Sequence, residues 1–268
     1  MNATLNKRHI PVILFFLLLH APEGRSQAQV TKLKAWNAKE IKNVAVDRLG
    51  DFFLIYKKGG IKKYDQNGKV MAHLPKRKPT LMEPWYHPSI FIYDRKTQKY
   101  FSYGRYFENE QEHKLPPEFA IEPYLVCPTH DNRLWVLDKA DYSLKNINPL
   151  NNEVINEFTL NTEHTTPAFT YLREYQNLIF LQENNAIWIV NTLGNLITKI
   201  ESNKLGNFGF FGQELYYLEN NVIHFFNLLT EARYEISLEG DNKFALVTDE
   251  RIFTVSTTNK ISLFNYVP

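Results

Sequence analysis

The stretch NVAVDRLGDFFLIYKKGGIKKYDQNGKV, residues 43–70, contains four short apolar or alternating runs that are separated by turn residues. One apolar run ends at the turn 47–50, and a second apolar run follows at 52–56. Gly59-Gly60 and Asn67-Gly68 then supply residues that tolerate the positive φ of two-residue hairpin turns. Because such turns join antiparallel neighbours, the stretch is predicted to form a four-stranded antiparallel meander.

The second apolar run of this stretch returns along the chain at intervals of about 37 to 44 residues, which is the period of a propeller blade. Its six occurrences are residues 52–56, 90–93, 134–137, 178–181, 215–218 and 252–255. Continuous apolar runs are typical of strands that are buried on both faces. The sequence therefore predicts an all-β fold, a single six-bladed β-propeller of four-stranded antiparallel blades.

Further strands are predicted around each of these runs. The predicted third strands are residues 61–65, 99–103, 143–148, 186–191, 222–227 and 260–266, and the predicted fourth strands are 69–74, 153–160, 195–201 and 232–238. The sixth unit reaches Pro268 without a fourth strand. Residues 29–36, QVTKLKAW, are therefore predicted to complete the last blade and to close the ring.

The second unit is irregular. Residues 76–88 contain three prolines, and residues 104–117 are long and charged. Because proline cannot donate a hydrogen bond to a strand ladder, both segments are predicted to lie at edges or in loops.

The N-terminal residues 1–28 are predicted to be a secretory signal peptide that precedes a propeller domain at 29–268. Lys7 and Arg8 come before the apolar run 10–19, and Ser26-Gln27-Ala28 offers the small residues of a cleavage site before Gln29. The apolar run is short for a membrane span, so cleavage is favoured over an uncleaved anchor, the alternative. The protein is therefore predicted to be exported.

The formal net charge of the chain, +2, comes from this leader. Residues 1–28 hold three of the 31 basic and one of the 29 acidic side chains, so cleavage leaves 28 of each. A neutral domain offers no electrostatic argument for binding nucleic acid or an anionic membrane surface.

Three stretches resemble a known family: residues 45–70, 126–148 and 218–238. They are similar to six-bladed β-propeller proteins that are exported to the cell envelope of Bacteroidetes, and the resemblance covers most of residues 40–268. It implies an envelope propeller that is periplasmic or associated with the outer membrane through other proteins, and it carries no catalytic signature. The family usually has Asn-Pro where this chain has His87-Pro88, which leaves open whether a partner site is shared through that loop.

Metal and catalytic chemistry has only weak signals in the sequence. None of the six histidines after residue 28 sits in a known zinc or nucleophile motif, and ordinary turn or packing roles are predicted for them. Glu40, Glu83 and Glu122 lie near predicted inner strands, where propeller hydrolases hold a divalent cation through hard oxygen ligands. Solvated rim carboxylates are the simpler interpretation of these three. No cofactor is predicted.

Cys127 and the turn that contains Asp47 and Gly50 are given structural interpretations. Cys127, the single cysteine, lies in a predicted inner strand and is expected to be a buried, inert thiol. A reactive thiol would need a positive neighbour, for which His130 is the nearby residue. Asp47 and Gly50 fit a turn that caps its own backbone better than a calcium loop.

The candidate partner-binding residues are Trp85, Tyr86 and His87, because aromatic side chains dominate interface hot spots. The competing interpretation is that the two rings pack under the loop 104–117. We therefore predict a non-enzymatic interaction or scaffold module that binds an envelope protein. A lactonase-like, metal-dependent hydrolase at the channel mouth is the alternative from another class, and glycan or peptide binding in the channel is a third possibility.

Overall fold

The computed structural model describes residues 29–86, 89–160 and 169–267. Within them lie 24 strands in six four-stranded antiparallel sheets, and no helix occurs in this part of the chain. Each sheet is one blade of a propeller, which confirms the predicted fold class. None of the described segments could span a bilayer as an apolar helix.

The first three blades follow one another along the chain. Blade 1 comprises β2 (Ile41–Val46), β3 (Phe52–Tyr56), β4 (Ile61–Tyr64) and β5 (Val70–Leu74). Blade 2 comprises β6 (Leu81–Glu83), β7 (Ile90–Asp94), β8 (Lys99–Tyr103) and β9 (Gln111–Lys114). Blade 3 comprises β10 (Pro123–Pro128), β11 (Leu134–Asp138), β12 (Ser143–Asn148) and β13 (Glu153–Thr159).

The last three blades repeat the pattern, and the sixth takes its outer strand from the start of the described chain. Blade 4 comprises β14 (Tyr171–Tyr175), β15 (Leu178–Gln182), β16 (Ala186–Asn191) and β17 (Leu196–Glu201). Blade 5 comprises β18 (Leu205–Phe211), β19 (Glu214–Glu219), β20 (Val222–Asn227) and β21 (Arg233–Ser237). Blade 6 comprises β22 (Asn242–Val247), β23 (Arg251–Ser256), β24 (Lys260–Val267) and β1 (Gln29–Asn37).

The ring closes through β1, as the sequence predicts. β1 pairs antiparallel with β24, with Gln29 opposite Val267 and Asn37 opposite Lys260. Trp36 then packs towards blade 1, with its ring centroid 6.5 Å from that of Phe52. The outer strand of blade 6 therefore also contributes to the contact between the last and first blades.

Aromatic side chains fill the space between adjacent blades. The rings of Phe52 in blade 1 and Phe253 in blade 6 have centroids 4.0 Å apart. Tyr175 in blade 4 stacks on Phe210 in blade 5, also at 4.0 Å. The second strands are buried along most of their length, which is why the sequence shows them as unbroken apolar runs.

The irregular segments of blade 2 lie at its edges, as predicted. Residues 76–88 include the strand β6 (Leu81–Glu83), which is the inner edge of the sheet and has all three residues buried. Pro79 and Pro84 bound this strand, and a proline cannot donate to the ladder, so β6 is limited to three residues. Residues 104–117 include the outer edge strand, Gln111–Lys114, whose residues are all exposed.

A buried lysine joins blades 1 and 2. Lys63 is fully buried, and its Nζ lies 2.9 Å from Asp47 Oδ2 and 3.0 Å from Asp51 Oδ2. Arg105 of blade 2 also pairs with Asp51, at 3.0 Å. Asp47 Oδ1 meanwhile accepts hydrogen bonds from the backbone N–H groups of Leu49 and Asp51, each at 3.0 Å. The turn interpretation of Asp47 is confirmed, and the lysine that it holds is a feature that the sequence analysis missed.

The disc has two faces, which we name for use below. The lower face carries the turns between the first and second strands and between the third and fourth strands of each blade, such as 47–51 and 65–69 in blade 1. The upper face carries the turns between the second and third strands, such as 57–60, and the links between blades.

Candidate functional site

The segment that follows β6 reaches from blade 2 to blade 4. The Tyr86 hydroxyl donates to the Glu174 carbonyl oxygen at 2.6 Å and lies 3.0 Å from Glu174 Oε2. The Trp85 ring meets the Tyr175 ring edge-on at a centroid distance of 5.8 Å. Both side chains are partly buried. They pack on β14, and not under the loop 104–117 that the sequence analysis named as the alternative.

Glu83 and Arg173 lie beneath these two aromatic residues. Arg173 Nε is 2.9 Å from Glu83 Oε2, and the other Glu83 oxygen accepts the Trp85 backbone N–H at 2.9 Å. The Arg173 guanidinium also lies 5.0 Å from the Trp85 ring and 4.9 Å from the Phe210 ring. A planar cation between two aromatic rings and a carboxylate is held by several contacts at once.

Burial governs the electrostatics of this pair. Desolvation raises the pKa of Glu83, and the charge of Arg173 offsets that effect only in part. Burial alone would lower the pKa of Arg173, but the Glu83 carboxylate raises it. Arg173 therefore stays charged.

A second buried carboxylate, Glu174, belongs to the same network. Glu174 accepts hydrogen bonds from the backbone N–H of His130 at 3.1 Å and from the backbone N–H of Asn177 at 3.2 Å, in addition to the Tyr86 hydroxyl. His130 Nδ1 lies 3.5 Å from Glu174 Oε1. Glu174 thus connects the lower-face turns of blades 3 and 4 to the Tyr86 segment.

A cavity of about 180 Å³ occupies the channel above this network. Lys42 and Thr170 line its upper part, and Arg173 and Glu83 line it more deeply. Its wall comes from the inner strands of blades 1, 2, 4, 5 and 6, and none of its described lining residues belongs to blade 3. The direct contacts between β6 and β14 close that side of the channel.

The lower face carries a row of exposed leucines at equivalent positions in three adjacent blades. Leu150, Leu193 and Leu229 lie at the turn between the third and fourth strands of blades 3, 4 and 5 and are 83%, 74% and 68% exposed. Each lies two residues after an asparagine whose Oδ1 accepts its backbone N–H at 3.0 Å. We call these three residues the leucine row.

More apolar surface lies beside the leucine row. The outer strands of blades 3 and 4 begin with exposed aliphatic pairs, Val154-Ile155 and Leu196-Ile197. Ile155 and Leu193 line one groove of about 240 Å³ between these blades, together with His130 and Glu174. A second groove, of about 270 Å³, is lined by Trp85 nearer to the channel.

The three carboxylates considered for a metal are not brought together. Glu40 forms an exposed ion pair with Lys57, and Glu122 forms one with Lys139, as expected for rim carboxylates. Glu83 instead is buried against Arg173. Among the residues that the structure describes, no group of three or more His, Cys, Asp or Glu side chains is placed to hold a metal ion.

The remaining predicted residues have simple environments. Cys127 is fully buried in β10, and burial raises the pKa of its thiol well above the ordinary value, which confirms the predicted buried thiol. His224 stacks on Tyr217 at a centroid distance of 5.1 Å, as a packing residue does. His87, the third candidate partner-binding residue, lies outside the described residues, as does His164.

Arg173, Glu174 and the leucine row were not predicted from the sequence. Arg173 and Glu174 are two adjacent charges inside the otherwise uncharged run YLREY of an inner strand, a signal that an alignment of the six inner strands would reveal. The leucines likewise recur at the same place in the NPL, NTL and NLL sequences that follow the third strands of blades 3, 4 and 5.

Comparisons with known proteins agree with this architecture. No protein-family model matches the sequence, and no curated protein matches it. Virginiamycin B lyase from Staphylococcus aureus is similar in structure, with a TM-score of 0.54 and 14% identity over 90% of this chain and 100% of that chain. A streptogramin B lyase has a TM-score of 0.53 and 17% identity over 84% of this chain and 78% of that chain.

A protein of a different kind is similar as well. The WD40 domain of Neurospora crassa Pan2 has a TM-score of 0.59 and 8% identity, over 88% of this chain and 95% of that chain. At such identities the likeness shows the fold alone. The six sheets and these likenesses define the chain as a six-bladed β-propeller.

Proposed function

We propose that this propeller is a non-enzymatic interaction module whose lower face binds another protein. The observation that carries the proposal is the leucine row, three turn-tip leucines that are 68% to 83% exposed in adjacent blades. Exposed apolar side chains that stand singly are ordinary. Three at the same turn of adjacent blades, with exposed aliphatic pairs beside them in blades 3 and 4, are the kind of apolar surface that we propose as an interaction site. A protein partner with an apolar strip along its surface fits a row of this kind.

The aromatic residues after β6 also favour the lower face as the binding surface. Trp85 lines the lower-face groove of about 270 Å³, and its ring is held by Arg173 and Tyr175. Tyr86 is held by its hydrogen bonds to Glu174. An aromatic side chain that is fixed before binding loses little conformational entropy when a partner docks. Trp85 and Tyr86 therefore remain proposed partner-binding residues, and His87, which lies outside the described residues, is proposed with them from the sequence alone.

We infer further that the protein is exported and acts in the periplasm or at the outer membrane. The predicted signal peptide ends before Gln29, and β1 begins at Gln29. Cleavage there would leave all 24 described strands in the mature protein. The resemblance to exported Bacteroidetes propellers supports the same location, and the partner is then an envelope protein.

The proposal is tested by copurification from the native envelope after chemical cross-linking, with a triple variant Leu150→Ser, Leu193→Ser, Leu229→Ser. The matched control is Leu33→Ser, because Leu33 is also about half exposed but lies on β1 of blade 6. We expect one partner in stoichiometric amount with wild type and control, and its loss with the triple variant.

Two results would contradict the proposal. Recovery of the propeller alone under cross-linking conditions would contradict the existence of a protein partner. Equal recovery of the partner by the wild type and the triple variant would show that the leucine row is not the binding surface. A Trp85→Ala variant, checked for native thermal unfolding, tests the aromatic part of the face separately.

A further inference from the structure

The central cavity contains a buried cation with unused hydrogen-bonding capacity. Arg173 is only 5% exposed and lines the cavity. Its Nη2 is buried and has no hydrogen-bond acceptor among the described residues. Its Nε is close to Glu83 Oε2, at 2.9 Å, but the contact is not aligned as a hydrogen bond. A guanidinium has five N–H donors, and buried donors that lack an acceptor are destabilising.

Two of the neighbouring polar side chains, Tyr171 and Asn207, are engaged elsewhere. The Tyr171 hydroxyl donates to the Met82 carbonyl oxygen at 3.1 Å. Both atoms of the Asn207 side-chain amide bond the backbone of Ala245, at 2.7 and 2.9 Å. The Tyr216 hydroxyl, which also lines the cavity, is like Arg173 Nη2 buried without a hydrogen-bond partner among the described residues. A ligand in the cavity can therefore supply an acceptor to both groups.

The charge of the cavity favours an anion as that acceptor. Apart from tyrosines, its titratable lining residues are Lys42, Glu83 and Arg173, which are two cations and one carboxylate. Lys42 is exposed at the upper end, where its Nζ donates to the Pro79 carbonyl oxygen at 2.9 Å. A cationic group at the entrance and a second one deeper in the cavity attract a negative ligand.

The size and wall of the cavity define the rest of the ligand. A volume of about 180 Å³ is slightly larger than the roughly 150 Å³ cavity that accommodates benzene. Phe208, Tyr216 and Val44 contribute apolar surface to the wall. A carboxylate accepts hydrogen bonds from a guanidinium in a favourable planar geometry. A small carboxylate with an apolar body can therefore pair with Arg173 and pack against the apolar wall of the cavity.

We propose that the central cavity is a binding site for a small monocarboxylate whose carboxylate is held by Arg173 and whose apolar part lies against Phe208 and Tyr216. The site is entered from the upper face. It is independent of the protein-binding surface on the lower face, so one can exist without the other.

The test is isothermal titration of the mature propeller with benzoate as the probe, and with benzamide as a neutral molecule of the same shape. We expect saturable 1:1 binding of benzoate and at least about tenfold weaker binding of benzamide, because only benzoate pairs with the guanidinium. Equal binding of the two, or no saturable binding of benzoate, would overturn the proposal. Binding of inorganic phosphate without benzoate would overturn the assignment to a carboxylate.

Variants locate the site. Arg173→Lys keeps the charge but loses the planar donor set, so benzoate affinity should fall about tenfold while circular dichroism stays native. Because a substitution at a buried ion pair can impair folding, Lys42→Met at the entrance is a second variant, and it should weaken benzoate binding severalfold. Lys204→Met is the control, since Lys204 lies on the upper face and does not line this cavity. An equal loss in the control and in Lys42→Met would overturn the proposal.

Discussion

Arg173 and Glu83 form an ion pair between two blades that are not neighbours in the chain. Their Nε and Oε2 atoms lie 2.9 Å apart, although the whole of blade 3 separates β6 from β14 in sequence. The hydrogen bonds from Tyr171 to Met82 and from Tyr86 to Glu174 join the same two blades. Blades 2 and 4 are therefore fastened directly to each other across the ring.

The ion pair predicts a pH dependence of stability. Burial raises the pKa of Glu83 above its ordinary value of 4.5. Since the folded-state value exceeds the unfolded one, the stability that Glu83 contributes is fully present below 4.5 and is lost as the pH rises through the folded-state value. The stability of the wild type relative to Glu83→Gln should therefore fall with rising pH.

Urea unfolding of both proteins across a pH series measures this difference. Glu122→Gln is the control, because Glu122 is an exposed carboxylate paired with Lys139. If the stability of the wild type relative to Glu83→Gln instead rises with pH, the attraction of Arg173 outweighs burial and the pKa of Glu83 is depressed.

The buried lysine of blade 1 should be essential for stability. Lys63→Met leaves Asp47 without its cation and leaves Asp51 with Arg105 alone. Removing one partner of a buried ion pair costs about 3–5 kcal/mol. We expect a loss of that order in the free energy of unfolding by urea. Lys62→Met, one residue away and only partly buried, should cost much less, and equal losses would contradict a specific role for Lys63.

The leucine row should contribute little to folding. Each of Leu150→Ser, Leu193→Ser and Leu229→Ser should change the free energy of unfolding by no more than about 0.5 kcal/mol, because these side chains are mostly exposed. Leu172→Ala, at a fully buried position of β14, should cost about 2–5 kcal/mol. Thermal and urea unfolding compare them. A large loss at a leucine of the row would mean that it packs within the protein, which would weaken its proposed role in binding.

Cys127 should report on the integrity of blade 3. The thiol is fully buried and its pKa is raised well above the ordinary value by that burial, so the reactive thiolate is scarce and inaccessible. We expect no reaction with a thiol reagent in the native protein and complete reaction in urea. Fast labelling without denaturant would show that β10 opens readily.

Closure by β1 predicts a sharp effect of N-terminal truncation. A chain that starts at Ala38 lacks β1 and exposes the full edge of β24, whereas a chain that starts at Gln29 keeps the strand. Unpaired strand edges promote association between molecules. Size-exclusion chromatography should find the longer chain monodisperse and the shorter chain aggregated. Identical behaviour of the two would show that the strand is dispensable.

The fold was largely predictable because its signal is local and repeated. The apolar run 52–56 and its five relatives become second strands, and the turn residues between runs mark the hairpins. No bounds were predicted for the inner strand of blade 2, because its three residues, Leu81–Glu83, are too few to show a pattern. None were predicted for the outer strand Gln111–Lys114, because all its side chains are polar and exposed.

The candidate site was predictable only in part. Trp85 and Tyr86 are visible as an aromatic pair, but nothing local indicates that they meet β14. That contact depends on how the ring brings blade 2 close to blade 4. The spacing of residues within one blade carries no information about the distance between two blades. The ion pair of Arg173 likewise depends on Glu83, which comes from another blade and is distant in sequence.

The pairing of β1 with β24 fixes the order in which the molecule can be finished. Of the described strands, β1 is the first to leave the ribosome and β24 is the last. β1 must therefore wait without its hydrogen-bonding neighbour until the 22 described strands between it and β24 have been made. The ring can therefore close only after β24 has been synthesised, and a chain that ends before β24 cannot form a closed ring.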